Sequence, residues 1–434
     1  MTNFISTKLI LTKRSTTMSK ITLTSCALLS VLFFVRYFQQ GSDKNLWLGT
    51  ALAIAATLSR QMGLCLPLAF GIALWLKHGR QKRWLFRAAL PFITCLFAFI
   101  VFKLWLKAFD HTPANTMRTD RLWAVLDDPI RIPINLAYYG WSMLMYLGWF
   151  LLPISLLTIL TRPRSDSKPS LLVRVVLLAF VMASVVRFLA VPSWMPVHNN
   201  ILIPQGIGPA TLRDTFDLKL PHLPSLPLWF WIPITILSLA GAMIFLGKLS
   251  LTLEDHFPNH RFNPGGESGV IGIFLLLCVG IYLTPFLLSG FFDRYLLPVV
   301  ALLTVFLIIG LDWSELRFAR ATQLASLVLI AIGGIFAIGG TRDYLEWNRT
   351  RWLAARTLLT EKGITPEKVD GGFEFNGWYL YGKSNVQSNW LNTVPFVIAF
   401  GEIPGFEPVS TNTYRQWLPP RDGTILVLKR QSGN

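Results

Sequence analysis

Ten apolar runs divide most of this chain, at 21–38, 46–59, 64–76, 88–107, 134–160, 171–191, 228–247, 269–289, 295–311 and 321–340. Crossing a hydrocarbon layer about 30 Å thick takes about 20 apolar residues in a helix that rises 1.5 Å per residue. This pattern therefore predicts a polytopic α-helical membrane protein with about ten transmembrane helices. The second and third runs are short and flank Ser59-Arg60-Gln61-Met62-Gly63; they are counted as two crossings, and a re-entrant pair would look the same. Composition agrees: 53% of the 434 residues are hydrophobic and 15% are charged, whereas a soluble domain carries roughly a quarter charged residues.

The net charge of +17 would point to nucleic acid in a soluble protein. In a membrane chain it reads instead as the basic bias of cytoplasmic loops or as attraction to anionic lipid, and no nucleic-acid partner is expected. Lys77, Arg80, Lys82, Arg83 and Arg87 crowd one linker, Arg162, Arg164, Lys168 and Arg174 another, and Arg317 and Arg320 a third. Alternation of the spans puts all three on one side, expected to be cytoplasmic. Arg60, the loops 108–133 and 192–227, Asp293-Arg294 and everything after 341 then fall outside. Residues 1–20 form a basic N-terminal segment with Lys8, Lys13, Arg14 and Lys20; the topology places it outside too, against the charge rule. The cysteines, Cys26, Cys65, Cys95 and Cys278, all lie inside apolar runs without a short pairing, so neither a disulfide framework nor a metal site is expected.

The transmembrane region is read as 21–340 and a small external α/β domain as 341–434. There, Tyr344–Lys362 has helical spacing with Gly363 as its stop, and Val369–Phe375, Val394–Phe400 and Thr424–Leu428 read as strands. The connection 192–227 is longer than its ends require and reads as a lid over a cavity.

Arg60 stands between two apolar runs, where an unpaired cation is costly and a phosphate at headgroup depth would satisfy it. A guanidinium holds two phosphate oxygens at once, and Gln61 adds a neutral donor. Position alone also fits a snorkelling arginine at a helix end. Asp293-Arg294-Tyr295 is a second cluster at the same face: either the two charges neutralise each other, or Arg294 joins Arg60 on the phosphate while Asp293 and Tyr295 orient it. The loop 108–133 holds acids that could serve as a general base, with Asp110 and Asp120 as the catalytic candidates, among other charges expected to be solvated. No glycine loop for nucleotides and no zinc-protease motif is present, and no cofactor or metal is expected.

Ala56-Thr57-Leu58-Ser59-Arg60-Gln61-Met62-Gly63-Leu64 resembles the "LTRQ-G" junction of integral-membrane glycosyltransferases of the GT-C fold, the polyprenyl-phosphate-sugar-dependent group that includes bacterial protein mannosyltransferases and the aminoarabinose transferase of lipid A. Phe292-Asp293-Arg294-Tyr295-Leu296-Leu297-Pro298 is similar to its "RYLLP" segment. Asp343-Tyr344, Trp347-Asn348 and Asp370–Trp378 resemble the start of the external domain in its bacterial members. The resemblance runs from about residue 21 onward and implies a multi-pass protein of a bacterial inner membrane with a periplasmic C-terminal domain. It implies transfer of a sugar from a polyprenyl-phosphate donor to an external acceptor, with Arg60 on the lipid phosphate and Gln61, Arg294 and Tyr295 beside it. The family's catalytic acid lies in the first external loop. This chain has no apolar span before Ile21 and no acid before Asp43, so it is expected to lack that helix and loop. The alternatives are a catalytically incompetent truncated relative that binds polyprenyl phosphate, or a lipid or solute transporter. A transporter calls for mid-membrane ionisable residues, and Arg36, Lys103 and Arg187 all lie near span ends.

Overall fold

A computed structural model describes residues 23–79, 81–109, 117–159, 171–190, 201–256, 267–309, 320–380 and 394–431. In chain order the helices are α1 (23–40), α2 (Asp43–Ser59), α3 (Cys65–His78), α4 (Lys82–Ala108), α5 (Met117–Leu126), α6 (Arg131–Ile159), α7 (Leu171–Ala190), α8 (Arg213–Phe216), α9 (Leu228–His256), α10 (Glu267–Ser289), α11 (Leu297–Ile309), α12 (Arg320–Arg356) and α13 (Phe373–Leu380). The strands are β1 (Leu202–Ile203), β2 (Gly206–Ile207), β3 (Val369–Asp370), β4 (Phe396–Ala399), β5 (Phe406–Trp417) and β6 (Pro420–Arg430).

In the part described, each apolar run of the sequence is built on a helix. Among the described residues six of them, α4, α6, α7, α9, α10 and α12, are long and apolar enough to cross a membrane. The helices α2, α3 and α11 have 17, 14 and 13 residues; at 1.5 Å per residue the 14-residue helix is about 21 Å long, short of a full crossing. Residues divide into two compact units, Met1–Leu189 with Thr235–Ser326, and Ala190–Ile234 with Leu327–Asn434.

In the first unit the chain reverses at Arg60, so α2 and α3 run antiparallel. The start of α2, the end of α3 and the start of α4 share one end: Arg87 pairs with Asp43 at 3.1 Å, Lys77 Nζ donates to Phe38 O at 3.1 Å, and the His78 ring stacks on Trp84 at 3.7 Å. The opposite end carries the turn at Arg60. There too α6 begins beside the end of α10, with Asn135 Nδ2 donating to Leu288 O at 2.7 Å. Between these ends, Phe34, Phe70 and Phe274 from α1, α3 and α10 form a buried aromatic cluster with centroids 4.3–6.4 Å apart, a geometry worth about 0.5–1.5 kcal/mol per pair beyond the area buried.

Helices α6 and α9 cross at backbone contact. A Cβ on Gly148 would lie 2.0 Å from Ser238 O, and one on Gly241 2.1 Å from Gly148 O, as in the small-residue crossings of membrane helices.

The second unit is built on a four-stranded sheet of order β3-β4-β6-β5, with β3 parallel to β4 and the other pairs antiparallel. Its core joins Trp347 and Ala355 of α12, Phe375 of α13, Ile398 of β4 and Ile425 of β6. The connection read as a lid is core as well, in the part described. Residues 201–227 form the β1–β2 hairpin and α8, and Leu212 and Asp214 are fully buried against the sheet.

Three readings change at the level of elements. The helix expected from Tyr344 is continuous with the apolar run before it, in a single α12 of 37 residues. Gly339 and Gly340 do not break it, because they lie where Leu418 and Ile207 pack against it, each within 3 Å of where a Cβ would stand. Phe373 and Phe375, read as strand, begin α13, since Asp370 accepts the Gly372 N–H at 3.1 Å and turns the chain there. Strand β5 is unanticipated: it is largely exposed and contains Pro408.

Gly148→Ala is expected to destabilise the protein by about 1–3 kcal/mol, as overpacking against a fixed backbone does. Gly247→Ala, where a Cβ meets nothing within 4 Å, is expected to leave stability unchanged or slightly raised. Denaturant titration in mild detergent checks the pair.

Candidate functional site

Helix α2 ends because Arg60 leaves the helical region (φ −157°, ψ 131°) while its N–H still donates to Ala56 O at 2.9 Å. A 3-10 turn, Gln61–Leu64, then reverses the chain. Gly63 allows the reversal: a Cβ there would lie 2.5 Å from Thr57 N, inside backbone that cannot give way. Arg60 is thereby held half-buried at the tip of the hairpin, while Gln61 is exposed.

The second cluster has the same local architecture. Helix α10 stops at Ser289, Gly290 takes φ +90° under the Tyr139 ring, and a 3-10 turn, Asp293–Leu296, leads into α11. Asp293 is buried and accepts the Arg294 backbone N–H at 2.7 Å. Its carboxylate thus serves the turn; no ion pair with the neighbouring guanidinium is formed. Tyr295, also buried, stacks on Phe286 at 5.0 Å and 10°.

Two arginines 234 positions apart in the chain meet on this phenol. The Arg60 guanidinium lies 5.9 Å from the Tyr295 centroid and that of Arg294 lies 5.5 Å from it, with Phe292 5.0 Å from Arg294. Two sides of a triangle bound the third, so the guanidinium carbons are within about 11 Å of each other. At an effective dielectric of about 20 that separation costs at least about 1.5 kcal/mol of repulsion. Ring contacts return about 0.5–2 kcal/mol each. Among the described residues neither guanidinium pairs with a carboxylate, and Arg294 Nε is buried without a hydrogen-bond partner. An anion between them would relieve the repulsion and supply the missing acceptor. Beside the pair lies an apolar recess, with Leu23, Ala27, Met62, Leu66, Pro298 and Leu302 in its walls. Unpaired positive charge and an apolar-walled recess are thus adjacent among the described residues.

Of the catalytic candidates, Asp110 lies outside the described residues. Asp120 falls on α5, with its side chain outside what is described. Among the described residues no group of three or more His, Cys, Asp or Glu could hold a metal ion.

The second unit contains polar clusters that sequence reading passed over. Asp214 is fully buried, accepts the Phe400 N–H at 3.0 Å, and contacts His222 Nδ1 at 2.7 Å. The face of that imidazole lies on Gly401, where any Cβ would collide with the ring. Arg351, 1% exposed, donates to Glu374 at 2.7 Å, and Glu374 also accepts Thr211 Oγ1 at 2.5 Å. Asp370 faces Arg213 at 3.7 Å. Each cluster ties the 201–227 segment or α12 to the ends of β3 and β4.

Comparison with protein-family models, curated proteins and solved structures returns no match.

Burial pushes the Asp214 carboxyl above its ordinary value of 3.8, while His222 and the Thr215 and Phe400 N–H groups pull it part of the way back. A carboxyl with a raised folded pKa holds its proton more tightly folded than unfolded. Its contribution is therefore fully present below the ordinary pKa and is lost as pH rises through the raised value. Thermal unfolding of the solubilised chain between about pH 4 and 7 is expected to show a stability loss with rising pH that Asp214→Asn flattens. An identical slope in the variant contradicts the assignment.

Proposed function

We propose that this chain is a membrane-embedded glycosyltransferase that takes a sugar from a polyprenyl-phosphate donor and delivers it to an acceptor at the membrane face carrying Arg60 and Arg294. The observation that carries the reading is the convergence on Tyr295, beside an apolar recess, of these two guanidiniums that pair with no carboxylate among the described residues. In the reaction the bond between the sugar's anomeric carbon and the phosphate oxygen breaks, the acceptor's hydroxyl or amine bonds to that carbon and gives up a proton to water, and negative charge builds on the lipid phosphate that leaves. Cations fixed beforehand at that phosphate stabilise the charge as it develops, without reorganising. Arg60 and Arg294 hold the phosphate, Tyr295 keeps both guanidiniums in place, Gln61 is available as a neutral donor, and the apolar side chains of the recess wall lie beside the start of the isoprenoid chain. The similarity of the Arg60 junction and the Asp293–Pro298 segment to GT-C glycosyltransferases supports sugar transfer as the chemistry.

Lys77, Lys82, Arg83 and Arg87 collect at the end of the first unit opposite Arg60. The bias of Lys and Arg toward cytoplasmic loops then puts the Arg60 face outside, periplasmic in a bacterial inner membrane, where polyprenyl-phosphate sugars serve external acceptors.

Charge-assisted hydrogen bonds contribute about 1.5–3 kcal/mol each, so Arg60→Ala is expected to weaken binding of a polyprenyl-phosphate sugar about 10- to 150-fold while the helical content stays unchanged. Arg60→Lys keeps the charge and loses the bidentate geometry, and is expected to fall between. Native mass spectrometry of lipid retention by the purified protein reads all three. Unchanged retention by Arg60→Ala contradicts the proposal.

A further inference from the structure

We infer that the segment from α5 into the start of α6 is an interfacial anchor, lying in the bilayer leaflet at the Arg60 end with Trp123, Leu126, Ile130 and Ile134 sunk to the boundary between headgroups and acyl chains. Trp123 and Leu126 lie on α5, Ile130 in the turn that follows it and Ile134 in the first turn of α6, and they are 60%, 44%, 70% and 61% exposed. The opposite side of the helix holds Val125, which is buried, and α5 packs on α10. The apolar strip therefore faces away from the protein.

The occupant is argued from position. The segment joins the end of α4 to the start of α6, two helices long and apolar enough to cross a membrane, so it lies at a membrane face. Asn135, one residue beyond Ile134, bonds Leu288 near the end of α10, which fixes that face as the one carrying Arg294. The strip is also continuous with the exposed apolar surface of α6, where Leu136 and Tyr138 follow, and that surface meets lipid. Asp128 and Arg131, paired at 2.8 Å, lie within the same stretch and suit the polar side of the interface. An indole with its polar N–H belongs at headgroup depth, and a short helix with one apolar and one polar face lies flat there.

The test places a polarity-sensitive fluorophore at Trp123→Cys or, one residue past α5, at Asp127→Cys. Cys26→Ser serves as background because the other three thiols are buried. Both proteins are reconstituted in phosphatidylcholine–phosphatidylglycerol vesicles. The probe at 123 is expected to emit to the blue of that at 127. It is expected to be quenched several-fold more by a nitroxide near the top of the acyl chain than by aqueous iodide, with the order reversed at 127. Ile130→Cys repeats the measurement should Trp123→Cys fail to insert. Quenching of the 123 and 130 probes by iodide overturns the inference in favour of a water-exposed face, and protection from both quenchers overturns it in favour of a protein partner or a second copy.

Discussion

An arginine taken out of water needs a counter-charge or a set of acceptors, and two arginines within about 11 Å of each other need them more, because each raises the cost of the other. The first unit holds Arg60 and Arg294 in that relation on the single ring of Tyr295 and gives neither a carboxylate among the described residues. Much of the surrounding structure serves this arrangement. Helix α2 ends one residue early enough to leave Arg60 extended, and Gly63 lets the turn close against Thr57. Gly290 bends the chain under Tyr139, Asp293 caps the second turn through the Arg294 N–H, and Phe286 stacks on Tyr295 to fix the ring. The same geometry recurs at both turns because the same problem is solved at both: a helix must stop and reverse while its last polar side chain stays at the end of the bundle.

The second unit carries buried charges of the other kind, each with a partner. Arg351 has Glu374, Asp370 has Arg213, and Asp214 has His222 together with a backbone N–H. Removing one member of such a pair strands the other, which makes the clusters structural ties between the 201–227 segment, α12 and the strand ends. The contrast sharpens the meaning of the first unit's cations: the buried Arg351 and Asp370 of the second unit each face a side chain of opposite charge.

The helices were legible in the sequence because apolar runs of this length have no other stable state in a bilayer. The meeting of Arg60 with Arg294 and Tyr295 was legible only as a shared membrane face, inferred from the alternation of spans; the ring that joins them depends on how two turns distant in the chain pack together. Other features were hidden for definite reasons. Gly339-Gly340 looks like a helix end, and only the packing of Leu418 and Ile207 explains it as a contact point. Phe373-Glu374-Phe375 alternates with the period of a strand, yet follows a turn set by Asp370. Strand β5 exposes Val409, Ser410, Thr411 and Thr413 and so lacks the apolar alternation that marks a half-buried strand. Asp214 and His222 are eight residues apart in a proline-rich loop, a spacing without any regular-structure signature.

The central claim is that Arg60 and Arg294 act on one anion, and a double-mutant cycle tests it most directly. Binding of polyprenyl phosphate is measured for the native chain, Arg60→Ala, Arg294→Ala and the double variant. Two groups sharing one phosphate give a coupling energy of about 0.5–3 kcal/mol, with the double variant losing an amount that differs from the sum of the single losses. Losses that add within about 0.5 kcal/mol would mean that the two arginines serve separate ends, and would contradict the account.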